Sequence, residues 1–135
     1  MSEARPITQR RVLAFAAVVE VATGFALIAV PPLVITLLLG ASPSSEGTRV
    51  ARVAGVALLA LGVACWPGRQ PVEPASPAVR AMLLYNILIA LYLAALAIVR
   101  HAGGPLLWPA VVLHAVVAVL LIWTGREEGG SSPHP

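Results

Sequence analysis

The sequence predicts an all-α integral membrane protein, a four-helix bundle crossing the bilayer four times with a short interfacial helix after the first span. Three observations predict it. Of the 135 residues 59% are hydrophobic and only 11% charged, far from the balance of a water-soluble domain. The apolar residues run on in blocks of about seventeen or more, long enough to span as helices and lacking the strict alternation of a barrel strand. Between the blocks stand clusters of Pro, Gly and Ser with single or paired arginines, the composition of loops at membrane ends.

Residues 1–10 are polar, carry Pro6 and read as a disordered lead to a single four-span domain over 11–124. Arg10 and Arg11 before an alanine-bearing apolar run have the outline of a secretion signal. Residues 12–30, however, are too long for one and end in Pro31-Pro32 with no small-residue cleavage site, so they are read as the first span. Neither proline has a backbone N–H and Pro32 disfavours helical geometry at Pro31, so the helix should break there. Leu33 to Leu39 is apolar but only two turns long and is expected at the interface or folded back on the bundle.

Gly40 to Thr48 is a loop by composition, and the second span, about 50–66, ends at an interfacial Trp66 before Pro67-Gly68. Gly55 and Gly62, seven residues apart on the face of Ala51, should let a neighbouring helix approach closely. The proline-rich stretch from Pro67 to Pro77 reads as an extended solvated loop. The third span, 81–99, carries a small-residue stripe of Ala90, Ala94 and Ala97. The fourth, 106–123, tolerates Pro109 in its first turn, and 125–135 reads as a disordered tail.

The net charge of +3 comes from nine arginines without a lysine, spread over the span ends; this is a topology signal and not a nucleic-acid surface. Arg5, Arg10, Arg11, Arg69, Arg80 and Arg126 fall on one side and Arg49, Arg52 and Arg100 on the other. The imbalance puts both termini in the cytoplasm and the chain in the cell (inner) membrane.

Each span carries a polar side chain that the bilayer disfavours: Glu20, Arg52, Asn86 and His114. Intramembrane ionisable groups are functional candidates, and Glu20 and His114 are assigned as the candidate acid/base pair because they stand level near mid-span. Arg52, whose long side chain could descend to Glu20, joins Asn86 and Tyr85 as a ligand-binding or structural polar core. Asn86 is placed deeper on the inner side, away from a direct contact with that pair. For Asn86 and Tyr85 simple packing is the bland alternative. One cysteine, three histidines and no aspartate make no metal-site pattern, and no cofactor is assigned.

These residues together resemble the DoxX-like group of small four-span bacterial membrane proteins. The resemblance rests on Val19-Glu20-Val21 within the first span, its proline end followed by a short apolar segment, and Arg49-Val-Ala-Arg52-Val-Ala-Gly55 opening the second. It implies a membrane subunit of the kind associated with quinone-linked oxidation, and carries over no catalytic residue. Two function classes remain, the first favoured and the second its alternative. One is a non-catalytic membrane component that binds a partner protein, a second copy, or a hydrophobic small molecule such as a quinone. The other is a small membrane enzyme, an isomerase, cyclase or quinone-linked oxidoreductase, with Glu20 and His114 acting on an apolar substrate.

Overall fold

A computed structural model describes residues 8–68, 72–73, 76–100 and 103–130, and all regular structure in them is helical. The helices are α1 (Gln9–Ala29), α2 (Pro31–Leu39), α3 (Ser45–Ala64), α4 (Pro77–Arg100) and α5 (Leu107–Gly130). Four of them, all but α2, are long and apolar enough to cross a bilayer, and their lipid-type surfaces stay exposed: Phe25, Val53, Leu91 and Val119 are each more than 60% accessible. At 1.5 Å per residue α1 extends about 32 Å, the depth of a hydrocarbon core. The protein is a multi-pass membrane protein in contact with the lipid bilayer.

Local chemistry sets the ends, and moves several of them beyond the apolar blocks. Thr8 is extended and its carbonyl accepts from the amides of Arg11 and Val12, so Gln9 and Arg10, expected in the lead, already belong to α1. Ser44 caps α3 through its Oγ, which accepts from the Gly47 amide at 3.0 Å, so this helix begins at Ser45 and not at about Val50. Ser76 does the same for α4, its Oγ accepting from Val79 at 3.4 Å with Pro77 in the first helical position, four residues ahead of the expected start. α5 runs on past Trp123 through Gly130, because no proline intervenes and Gly125, the one glycine before the last two residues, costs only about 1 kcal/mol. Arg69, His101, His134, most of the lead and the tail from Ser131 lie outside the described residues.

Pro31 and Pro32 end α1 at Ala29 but open α2, where the first turn needs no amide donors. The short helix thus includes both prolines. It closes at Gly40, whose φ of 73° is the left-handed turn that glycine adopts freely. α2 is tied down by the segment before α5: Gly104 N–H donates to the Leu38 carbonyl at 3.0 Å and Leu106 N–H to that of Leu37 at 2.9 Å. A side chain at position 104 would overlap the Leu37 carbonyl.

The four long helices form two intimate pairs, α1 with α3 and α4 with α5, joined mainly where α1 meets α5. Lipid removes the hydrophobic drive between helices, so close van der Waals approach must hold them. Gly24 and Gly55 supply it between α1 and α3, with Gly62 packed on Ala17 further along. The apolar core (Val12, Leu13, Ala16, Ala17, Val79, Met82, Val117 and Leu121) fills the half of the bundle nearest the start of α1.

Candidate functional site at the bundle midplane

On α1 the residues Gln9, Leu13, Ala16, Ala17, Glu20 and Gly24 share one buried face, at helical spacing. Glu20 therefore lies on the continuation of the core stripe and is 1% exposed. Its Gln9 and Glu20 edge turns toward α5, where His114 places Nδ1 4.0 Å from Glu20 Oε1. His114 keeps 12% of its side-chain surface and is the partly open member of the pair.

Asn86 joins them, contrary to the placement read from the sequence. Because α4 starts at Pro77, Asn86 stands nine residues up the helix, at the level of His114, and its Oδ1 is 2.9 Å from His114 Nδ1. Its Nδ2 donates to the Met82 carbonyl at 2.8 Å, which fixes the orientation of the amide. Oδ1 can then only accept, so His114 Nδ1 carries the hydrogen and, in the neutral ring, Nε2 carries the lone pair. Tyr85, one residue before Asn86, meets the imidazole edge to face at a centroid distance of 5.8 Å and 83° between planes. Its hydroxyl is turned toward the Glu20 carboxyl.

Arg52 does not enter this cluster. The carbonyls of Leu27 and Ile28 would normally accept from residues 31 and 32, both prolines without an N–H. Arg52 Nε donates to the Ile28 carbonyl at 3.3 Å and so replaces one of the missing donors, two turns of α1 away from Glu20. The proline stop and the arginine of the next span are thus one device, and the arginine itself stays exposed.

Among the described residues no arginine pairs with Glu20, whose Oε2 is buried without a hydrogen-bond partner. An isolated charge is too costly at this depth, so the pair is electroneutral in one of two forms: carboxylic acid with imidazole, or carboxylate with imidazolium. Either way the pair carries one exchangeable proton, on the Glu20 carboxyl or on His114 Nε2, beside an imidazole that Asn86 and Tyr85 orient. No metal-ligating group of three is found among the described residues.

Gln9, Thr124 and Gly24 were not singled out in the sequence. Gln9 is 1% exposed and donates from Nε2 to the Leu121 carbonyl at 3.3 Å, and Thr124 Oγ1 bonds the Leu120 carbonyl at 2.7 Å. The stripe that places Glu20 inward also contains Gln9 and Gly24, a signal present in the helical spacing.

No family model matches the chain, and neither a curated protein nor a solved structure matches it.

Proposed function

We propose that this membrane protein resides in the cell (inner) membrane with both termini cytoplasmic. In this reading it is a DoxX-like membrane component in which Glu20 and His114 receive the polar head of a hydrophobic small molecule such as a quinone. The observation that carries the reading is the buried, unpartnered Oε2 of Glu20 beside a histidine whose Nδ1–H is already engaged. Polar groups that only hold a bundle together are satisfied by one another, and an unmet buried oxygen costs roughly 1–3 kcal/mol. A ligand oxygen would meet it: a carbonyl accepts from Glu20 as the acid, and a hydroxyl donates to His114 Nε2. Asn86 and Tyr85 would set the imidazole's tautomer and plane. The arginine distribution and the resemblance in the first two spans support the membrane, orientation and family.

Native mass spectrometry of the full chain extracted in its own lipids tests this. The expected result is a small-molecule adduct in the parent that Glu20→Gln and His114→Gln lose while remaining folded. A parent without an adduct, or variants that keep it, would count against the reading; a co-purifying protein or second copy would favour a structural partner. The 4.0 Å approach of Glu20 to His114 favours a second reading, the acid–base enzyme. Its mark would be a Glu20→Gln protein that retains the adduct yet no longer converts it.

A further inference from the structure

At the opposite depth from the core, the start of α3 carries two guanidinium groups that the midplane site does not use. Arg49 and Arg52 are both exposed and one helical turn apart, which puts their Cβ atoms about 5–6 Å from each other. Neither pairs with a carboxylate among the described residues. The nearest acid in sequence, Glu46, accepts a hydrogen bond from Ser45 Oγ at 2.7 Å in the first turn. Arg52 is held by its Nε on the Ile28 carbonyl, so the guanidinium plane is anchored at the end of α1 and its two terminal nitrogens remain open. That open edge has the fork geometry that matches two oxygens of a phosphate.

The apolar surface beneath completes the fit. Val56 and Val63 follow Arg49 at seven-residue intervals on the same face of α3 and are 57% and 64% exposed. A phosphate seated on the arginines would leave its acyl chains against this valine row. Free phosphate would gain nothing from the row, whereas a lipid, with an anionic head and apolar chains at this depth, satisfies both parts of the surface.

We propose that Arg49 and Arg52 bind the phosphodiester of an anionic phospholipid in the leaflet at the α2 end of the bundle. Basic residues beside a membrane surface each contribute roughly fivefold in affinity for anionic lipid. The proposal is independent of any ligand at Glu20 and His114.

The test is native mass spectrometry of the delipidated full chain titrated with dioleoylphosphatidylglycerol, with dioleoylphosphatidylcholine as the neutral control. The first phosphatidylglycerol adduct should appear at several-fold lower lipid concentration than the phosphatidylcholine adduct. Arg49→Gln, which leaves the Arg52–Ile28 bond intact, should raise that concentration about fivefold, whereas Arg80→Gln at the other end of the bundle should not change it. Arg52→Lys, which keeps the charge but loses the fork, should fall between the parent and Arg49→Gln. Equal binding of the two lipids, an unchanged Arg49→Gln, or an equal loss in Arg80→Gln would overturn the proposal. Displacement of the lipid by millimolar inorganic phosphate would overturn it in favour of a free-anion site. Thermal unfolding of each variant, followed by tryptophan fluorescence, verifies that the comparison is between folded proteins.

Discussion

Replacing Gly24 by Ala should separate the two helices whose contact organises half of the bundle. A Cβ at position 24 would lie 2.6 Å from the Gly55 carbonyl oxygen and 2.7 Å from the Leu59 amide nitrogen, where ordinary contact begins at 3.4 Å. Both obstacles are backbone atoms that cannot rotate away, so α1 and α3 would have to part by about 0.8 Å. A gap of that size forfeits a quarter to a half of each van der Waals contact along the face, and overpacking of this kind costs about 1–3 kcal/mol. The upper half of the range is expected, since close packing is the main attraction between helices in lipid and α3 has its principal contact on α1. Gly55→Ala meets the same obstruction from the other side, 2.7 Å from the Gly24 carbonyl oxygen. Each single variant should therefore lose about 2–3 kcal/mol. The double variant should lose at least ~1 kcal/mol less than the sum, because the first substitution already opens the gap the second needs. Reversible unfolding in mixed micelles measures these differences, with Gly68→Ala, whose Cβ would meet nothing within 4 Å, as the neutral control. Single variants within ~0.5 kcal/mol of the parent, or strictly additive losses, would refute the close-contact account.

Coupling between charges should follow the contacts. Glu20→Gln and His114→Gln should be non-additive by about 1 kcal/mol or more in the same unfolding assay, whereas Glu20→Gln and Arg52→Gln should add within ~0.5 kcal/mol because Arg52 bonds Ile28 instead. Asn86→Ala leaves His114 Nδ1–H without its acceptor and should cost about 1–3 kcal/mol. Nitrogen-15 NMR of the imidazole should show the proton leaving Nδ1 for a mixture of tautomers, and an unchanged tautomer would remove Asn86 from its orienting role. In intact cells, single cysteines at Ser44 and Ser76 should label from opposite sides, Ser44 from outside. Labelling of both from one side would break the four-span arrangement.

How far the sequence could be read depended on which forces acted locally. The length and continuity of the apolar blocks suffice to define four spans, since a membrane forces every backbone polar group into helical bonds. The helix ends were less legible: Ser44 and Ser76 extend α3 and α4 by capping, which apolar composition does not record. The loss of a donor at Pro31-Pro32 was visible, but not which side chain would replace it. Only the packing of α3 on α1 brings Arg52 to the Ile28 carbonyl.

The same division runs through the candidate site. By itself the sequence determined the class of protein, the crossing number and the identity of the polar side chains that a bilayer penalises, because each follows from transfer of local groups out of water. Which of those side chains meet was decided by tertiary structure. Rotating a helix by one residue turns a side chain about 100° away, and moving its start by four residues shifts every later group by roughly 6 Å along the axis. α4 differed by that amount, so Asn86 reached His114 while Arg52 stayed at the membrane end. Partners a few ångströms apart depend on rotation and register between separate helices, and those are set by how Gly24, Gly55 and Gly62 allow backbones to touch.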